Sequence, residues 1–226
     1  RTSLLQAVSH DLRTPLAGIK ASVTGLLDSD VGFTDDDRAT LLTAIDTSVD
    51  RLDRVVGNLL DMSRLQAGAA LPHLSATPLE EVVAAALSAQ PVPTQPITVD
   101  VSDELPLVLT DPALLERALA NLVSNALAWS PAAFSVRIEA TPLNGMVALR
   151  VIDQGPGIPL AQRSVVFEPF HRLGDRSHDA GAGLGLAIAK GFIEVTGSFL
   201  ELDDTPGGGT TFTITLPIAP TEALPT

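Results

Sequence analysis

The sequence has no cysteine, few aromatic residues and no long apolar run. Among its 226 residues, Phe, Trp and Tyr together make up 4%. The lack of cysteine excludes disulfide bonds and fits a reducing compartment. No apolar stretch approaches the roughly 20 residues that a membrane-spanning helix needs, and no signal peptide opens the chain.

Basic residues are also few. The chain has 14 Lys and Arg against 27 Asp and Glu, which gives a formal net charge of −13 and a pI near 4.5. Such a surface repels phosphate backbones and anionic lipid, so we expect neither nucleic-acid binding nor membrane contact by this chain. Hydrophobic residues still make up 45%, enough for one or two domains with cores. The chain begins at Arg1, already in a helical pattern, and we expect a cytoplasmic fragment of a longer protein.

A first helix is predicted by apolar residues that recur at steps of three and four from Leu5 to Leu26, and it should run to about Leu27. His10 lies off that stripe, about 200° around the helix from Leu12, and should face water. Pro15 leaves a carbonyl of the preceding turn without its helical partner and should bend the helix beside His10.

His10 has the neighbours of a nucleophile. The reference pKa of imidazole is about 6.5, so a solvent-facing histidine at cytosolic pH keeps one ring nitrogen able to attack. The Asp11 carboxylate could hold the other ring N–H, and the Thr14 hydroxyl, one turn on, could position a water. The same residues are compatible with an exposed helical histidine among polar neighbours.

A second helix is predicted from an N-cap at Thr34, with three aspartates in its first turn, to about Ala67. Its apolar residues recur at steps of three and four from Leu42 to Leu59. The two helices would form a hairpin whose apolar stripes are too narrow for a core of its own. We expect two copies to pair into a four-helix bundle; the alternative is packing against the rest of the chain.

Residues 76–218 have the pattern of a two-layer α/β sandwich with a largely antiparallel sheet. Gly68 should end the second helix, and Thr77-Pro78-Leu79-Glu80 reads as a capping box that opens the next one. Asn144-Gly145 is a strong hairpin signal. The other predicted elements are strands 97–101, 107–109, 134–140, 146–152, 199–202 and 211–216, and helices 78–89, 112–129 (capped by Asp111) and 184–196. Residues 219–226 should form a frayed tail.

Three groups of residues suggest a nucleotide site. Asn121 and Asn125 lie four apart on one helix face and could offer amide oxygens to Mg²⁺. Asp153-Gln154-Gly155-Pro156-Gly157 follows a strand, where the carboxylate could accept from an adenine amino group and the glycines could let a flat ring approach. Gly181-Ala182-Gly183-Leu184-Gly185 opens a helix whose N–H groups can face phosphates. Each group also reads as polar surface or a plain turn, and residues 160–180 are either a mobile lid or a surface loop.

Taken in this order, the motifs resemble the transmitter module of bacterial two-component sensor histidine kinases. The resemblance covers nearly the whole chain. Its motifs are the H box at 9–16, the N box at 121–131, the G1 box at 153–157, the F box Phe167-Glu168-Pro169-Phe170, the G2 box at 181–185 and the closing Gly209-Thr210-Thr211-Phe212. Residues 61–68 and 206–209 are most similar to the potassium-responsive KdpD-type sensors of actinobacteria.

The resemblance implies a dimerisation and histidine phosphotransfer domain in residues 1–70 and a catalytic ATP-binding domain of the Bergerat type in residues 71–218. It implies that His10 takes a phosphoryl group from ATP, with Asp11 as its orienting carboxylate, and passes it to an aspartate of a response regulator receiver domain. Thr14 would assist dephosphorylation of that partner. The module would be a homodimer, and the full-length protein would be anchored in the inner membrane.

The resemblance also implies the contacts of the nucleotide. Asn125, together with Asn121, would hold Mg²⁺ against the triphosphate, and Asp153 would bind the adenine amino group. The other implied contacts are Trp129, Gly155, Gly157, Arg172, Gly181, Gly183, Gly185 and Thr210.

One position departs from the family pattern. Lys or Arg usually stands three residues after the second asparagine of the N box, where this chain has Ala128. Loss of that cation should weaken ATP binding, with Arg172 as the candidate substitute. Two alternatives remain. A Bergerat-fold ATPase that hydrolyses ATP generally carries a glutamate where this chain has Asn121, and a weakly or non-catalytic dimeric nucleotide-binding scaffold is favoured by Ala128.

Overall fold

The computed structural model describes residues 2–28, 32–90, 95–171 and 183–220; within the first helix, side chains are described at Ser9 and from Asp11 onward. The chain divides into two compact units, Arg1–Ser63 and Arg64–Thr226. The predicted boundary near residue 70 stays a prediction. Within the described ranges, no helix combines the length and the apolar character that crossing a bilayer requires.

The first unit is a pair of long helices. Helix α1 spans Thr2–Leu27 and α2 spans Asp35–Gln66, close to the predicted limits. A Cβ placed on Gly18 would lie 3.4 Å from Ser48 Oγ, and one on Gly25 would lie 3.9 Å from Leu41 Cδ1. From Gly18 to Gly25 the chain moves forward along α1, while their neighbours move backward along α2, from Ser48 to Leu41. The two helices therefore run antiparallel and form the expected hairpin.

The start and end of α2 follow the local signals. Thr34 Oγ1 accepts the Asp37 N–H (3.1 Å), while Asp37 Oδ2 accepts the Thr34 N–H (2.9 Å). Two N–H groups that the helix leaves unpaired are thereby satisfied, as in a capping box. Gly68, at φ +63°, ends the last turn in the left-handed conformation that glycine adopts without steric cost.

The hairpin buries a face of α1 that lies one position away from the predicted apolar stripe. Asp11, Pro15 and Ser22 are buried, whereas Leu12 is half-buried and Leu16 is 53% exposed. Helix α1 continues through Pro15. The predicted orientation of His10 toward water lies outside the described side chains.

The second unit is the predicted α/β sandwich. Its elements are β1 (Ser75–Thr77), α3 (Leu79–Ser88), β2 (Ile97–Asp100), β3 (Val108–Thr110), α4 (Pro112–Trp129), β4 (Val136–Leu143), β5 (Met146–Ile152), a 3₁₀ turn (Leu160–Gln162), α5 (Gly185–Val195), β6 (Phe199–Asp204) and β7 (Thr210–Pro217). The main sheet has the order β2-β4-β5-β7-β6, with β2 and β4 parallel and the other pairs antiparallel.

Helices cover one face of this sheet. Helix α4 lies against β4 and β5, with α3 and α5 beside it. Strand β4 alternates buried Val136 and Ile138 with exposed Arg137, so its other face meets solvent. The centre of the core is fully buried and consists of aliphatic side chains such as Leu119, Leu122, Ile138, Leu149, Ile188 and Ile214.

Two predictions about this unit are wrong. Thr77 does not cap α3; it ends β1, which pairs with β3, and its hydroxyl donates to the Ser75 carbonyl (3.1 Å), while Pro78 occupies the N-cap without a side-chain hydrogen bond. The frayed tail does not begin at residue 219, because Ala219 is buried and its N–H donates to the Leu107 carbonyl (2.8 Å). Residues 221–226 lie outside the described chain.

Candidate active site

The side chain of Asp153 is held at the end of β5 by two backbone donors. Asp153 Oδ1 accepts the N–H of Gly155 (2.8 Å) and the N–H of Thr210 (3.0 Å). The Asp153 N–H in turn donates to the Thr210 carbonyl (2.9 Å). Both backbone bonds end on Oδ1, the Thr210 side chain also forms a hydrogen bond to the carboxyl, and Asp153 lines the cleft.

Asp153 is 2% exposed, and this burial raises the pKa of its carboxyl above the ordinary value. The hydrogen bonds from Gly155 and Thr210 lower the pKa and oppose that shift only in part. Burial disfavours the charged form of a carboxyl, so the fold keeps this group at a cost in stability. A desolvated carboxyl at the edge of a cleft is a frequent mark of a functional site.

The cleft beside Asp153 has the polarity expected of a site for a flat ring. The empty space in it is about 540 Å³, which includes space open to solvent. Most of its wall is apolar, with only a few polar groups. The lining residues are Asn125, Trp129, Asp153, Pro156, Gly157, Ile158, Pro159, Leu186 and Thr210.

The glycines after Asp153 make room chiefly for the chain's own backbone. A Cβ on Gly155 would lie 2.9 Å from the Trp129 carbonyl oxygen. Gly157 has φ +74°, and a Cβ there would lie 3.3 Å from the Gly209 carbonyl oxygen. These contacts fix the loop against α4 and against the β6–β7 turn, which gives the cleft its shape before any ligand arrives.

Gly209 and Ser130 support the same loop; each lies in a predicted motif, but neither was named as a contact of the nucleotide. A Cβ on Gly209 would lie 2.1 Å from the Asp153 carbonyl oxygen. Ser130 Oγ accepts the Gln154 N–H (3.0 Å). The signals available in the sequence were the Pro206-Gly207-Gly208-Gly209 turn and a serine directly after the predicted α4.

Replacing Gly209 by alanine is expected to damage the site far more than replacing Gly208. Both have positive φ, +113° and +111°, so alanine suffers similar backbone strain at either position. Only Gly209 is packed on Asp153; a Cβ on Gly208 has no atom within 4 Å. We expect Gly209→Ala to cost a further 1–3 kcal/mol, roughly, in the free energy of unfolding and to weaken ATP binding. Urea unfolding and ATP titration measure both effects, and equal losses in the two variants would contradict the packing argument.

The two asparagines lie on one face of α4, as predicted. Asn125 lines the cleft. Asn121 Nδ2 donates to the Arg117 carbonyl (3.0 Å), and its Oδ1 lies 3.2 Å from the place of a Cβ on Gly185, at the start of α5. Both side chains therefore lie where α4 meets the first turn of α5. Among the described residues there is no cluster of three or more His, Asp or Glu that could hold a metal.

The start of α5 is tied to the end of the F box. The Gly183 carbonyl accepts the Phe170 N–H (2.8 Å). Gly183 has φ +67°, and a Cβ on Gly183 would lie 2.6 Å from the His171 carbonyl oxygen. Phe167 packs edge-to-face on Phe212, with ring centroids 6.4 Å apart. The predicted contacts Arg172 and Gly181 lie outside the described residues.

The predicted catalytic residues lie on α1. Asp11 is 5% exposed, and Thr14 is exposed on the helix surface. His10 belongs to the same helix, but its side chain is outside the described part.

Comparison with known families matches both parts of the chain. Residues 1–68 match the His Kinase A (phospho-acceptor) domain, and residues 110–220 match the histidine kinase-, DNA gyrase B- and HSP90-like ATPase domain. The second match alone is shared with ATPases of the gyrase type. The first match, at the predicted phosphoacceptor helix, distinguishes the chain from them.

Curated relatives and solved structures agree with this. Sensor protein KdpD of Mycobacterium tuberculosis is 44% identical over 96% of this chain and 26% of that protein. KdpD of Escherichia coli K12 is 36% identical over 96% of this chain and 24% of that protein. The crystal structure of full-length ShkA in complex with AMPPNP is 29% identical, with a TM-score of 0.66 over 98% of this chain and 47% of that one. The chain thus spans about a quarter of the length of the KdpD relatives. A phospho-acceptor helical hairpin followed by an ATPase-type sandwich shows that the chain belongs to the sensor histidine kinases, among which it is similar to the KdpD sensors.

Proposed function

We propose that this chain transfers the γ-phosphoryl group of ATP to His10 and then to an aspartate of a response regulator. The observation that carries the proposal is the buried Asp153 carboxylate, fixed by Gly155 and Thr210 at the wall of the cleft, in a chain that also carries the phospho-acceptor hairpin. Neither feature alone requires a kinase; together they supply the acceptor and the nucleotide site of one reaction.

The lining of the cleft supports adenine as the bound base. Asp153 Oδ2 would accept from the adenine amino group, and the Thr210 hydroxyl would bind the same edge of the ring. Trp129 and Leu186 offer apolar contact to the ring, as both line the cleft. The amide oxygens of Asn125 and Asn121 would hold Mg²⁺, a hard cation that prefers oxygen ligands. Arg172 and the glycines 181, 183 and 185 would meet the phosphates.

The transfer requires little covalent chemistry from the protein. One imidazole nitrogen of His10 attacks the γ-phosphorus, the bond to the β–γ bridging oxygen breaks, and ADP leaves. Asp11 would accept the N–H of the other ring nitrogen and so stabilise the positive charge that the ring gains. Mg²⁺ would supply charge neutralisation on the triphosphate. Catalysis would then come from positioning and electrostatic stabilisation.

The helical hairpin supports a homodimer. On α2, Leu42 is 58% exposed, Val49 49% and Val56 46%, all from the predicted apolar stripe. Apolar residues that recur along one helix face and stay exposed within the chain are well suited to pair with a second copy in a four-helix bundle. Thr14 would assist the reverse reaction on the response regulator. The longer protein would be held at the inner membrane.

Incubation with γ-labelled ATP and Mg²⁺ separates the proposal from its two alternatives. A kinase produces acid-labile, alkali-stable label on the chain. A water-using ATPase releases phosphate without labelling the protein, and a non-catalytic scaffold does neither. Only the first result is compatible with the proposal.

Ala128 offers a gain-of-function test. The residue lies on α4, exposed, three positions after Asn125. A lysine there could reach the triphosphate, and a charge-assisted hydrogen bond that water partly screens should lower the KM for ATP by about three- to tenfold. We expect Ala128→Lys to label faster at low ATP than the wild type, with Ala128→Gln, which has a polar side chain without charge, as control. Equal initial rates would remove the missing cation as a cause of weak binding.

A further inference from the structure

Arg163 joins two segments that contribute to the wall of the cleft. The first is 156–159, which contributes Pro156, Gly157, Ile158 and Pro159 to the lining. The second is the β6–β7 turn, which leads directly into Thr210, the first residue of β7. Arg163 Nε donates to the Ile158 carbonyl (3.1 Å), and a terminal nitrogen of the same guanidinium forms an ion pair with Asp204, the last residue of β6.

The first segment has little backbone hydrogen bonding of its own. Pro156 and Pro159 have no N–H, so neither can donate to the rest of the domain. Ile158, between them, is 7% exposed and faces the cleft. Its carbonyl is the group that the Arg163 side chain binds. The Arg163 side chain therefore restrains this segment, as the backbone hydrogen bonds of a β-sheet restrain a strand.

Arg163 and its two partners, the Ile158 carbonyl and Asp204, form a clamp. Its Asp204 end lies beside the turn that fixes Asp153. Asp204 precedes Thr205, whose N–H donates to the Gly209 carbonyl (3.2 Å) and whose hydroxyl pairs with that of Thr211 (2.9 Å). Gly209 and Thr210 pack on Asp153 in turn. Arg163 thus connects the apolar wall of the cleft with the support of its carboxylate.

We infer that Arg163 is a positioning residue for the nucleotide base: it holds Ile158 and Pro159 at a fixed spacing from Asp153, so that the ring fits between them. The inference rests on the proposed ATP site. Pre-organisation of this kind acts on affinity, because a wall that is already ordered loses less freedom when the ligand binds. We expect it to leave the rate at saturating ATP unchanged, because the guanidinium binds the Ile158 carbonyl and Asp204, which belong to the base side of the cleft and have no assigned role in the transfer.

The test compares the dissociation constant of ATP, in the presence of Mg²⁺, with the labelling rate at saturating ATP. For Arg163→Met we expect the constant to rise about fivefold and the saturating rate to stay the same. Arg163→Lys keeps a cation for Asp204 but cannot bind the Ile158 carbonyl at the same time, and Asp204→Asn removes the ion pair alone. Both should give smaller rises, and they carry the test if Arg163→Met does not fold. Arg137→Met, at an exposed position of β4, is the control and should change neither quantity.

The outcomes separate this inference from the proposal beneath it. Failure of the wild-type chain to bind ATP would overturn the nucleotide site and the clamp together. Normal binding by the wild type and an equal constant in all three clamp variants would overturn the clamp alone. A fall in the saturating rate with an unchanged dissociation constant would also overturn it, since Arg163 would then act on the transfer step.

Discussion

Replacement of His10 by glutamine is expected to abolish phosphorylation of this chain, with a loss of more than about a thousandfold in labelling rate. Glutamine keeps a polar side chain of similar length but has no nucleophilic ring nitrogen, and removal of the nucleophile leaves the reaction without its acceptor. ATP binding should be retained, because the residues that line the cleft all belong to the second unit. The measurement is incorporation of γ-label from ATP, with the labelled samples kept alkaline during analysis. ATP binding is measured on the same preparation.

His73→Gln is the matched control. His73 is exposed in the stretch before β1, far along the chain from the phosphoacceptor helix. Its replacement makes the same chemical change and should leave labelling intact. Retention of label in His10→Gln would show that His10 is not the acceptor. Loss of label in His73→Gln would show that the loss in His10→Gln is not specific to the acceptor position.

Asp153→Asn should remove most ATP binding without weakening the ligand-free fold. The amide oxygen can still accept the N–H groups of Gly155 and Thr210, but the group in place of Oδ2 becomes a donor and faces another donor on adenine. The loss of a hydrogen bond to a charged acceptor, together with two opposed donors, should weaken ATP binding by roughly 10- to 100-fold. ATP titration measures it, and unchanged affinity would contradict the assignment of Asp153 to the base.

The same substitution has a defined effect on stability. Burial raises the pKa of the Asp153 carboxyl in the folded chain above its unfolded value. The stability that protonation provides is fully present below the unfolded pKa and is lost as the pH rises through the folded pKa. Asparagine does not ionise, so ligand-free Asp153→Asn should be at least as stable as the wild type at pH 7. The difference in the free energy of unfolding should grow as the pH rises from the unfolded pKa of Asp153 through its folded pKa. Urea unfolding at several pH values measures this, and a variant less stable at pH 7 would contradict the cost assigned to the buried charge.

Local signals predicted most of the fold because they act between residues a few positions apart. Thr34 and Asp37 satisfy each other's N–H groups, and the Asp111 side chain accepts the N–H of Ala113 and Leu114. Asn144 and Gly145 both adopt positive φ in the hairpin that they were expected to form. In each case the chemistry of the residue and its immediate neighbours determines the backbone.

The features that were not predicted depend on contacts between distant parts of the chain. Thr77 was expected to cap α3, but β1 pairs with β3, more than 30 residues further along the sequence. The bond between Thr210 N–H and Asp153 joins residues 57 positions apart, and the steric need for glycine at 209 arises only there. Sequence motifs could place Asp153 in a nucleotide site, but only the folded chain shows which residues support it.

The apolar stripe of α1 illustrates the same limit. Its periodicity predicted the helix, yet the chain buries Asp11, Pro15 and Ser22 and leaves Leu16 largely exposed. Small residues such as Gly18 and Gly25 let α2 approach that face, so packing within the hairpin does not require the leucines. Periodicity alone cannot distinguish a stripe that packs within one chain from a stripe that packs against a second copy.

The most direct test of the central claim is to locate the phosphoryl group after incubation of the wild-type chain with ATP and Mg²⁺, by mass spectrometry of peptides kept at neutral to alkaline pH. We expect the modification on His10, and much less of it in Asp153→Asn at an ATP concentration near the dissociation constant of the wild type. A phosphoryl group on any other residue, or ATP bound in the cleft with no modified peptide, would contradict phosphotransfer from the Asp153 cleft to His10.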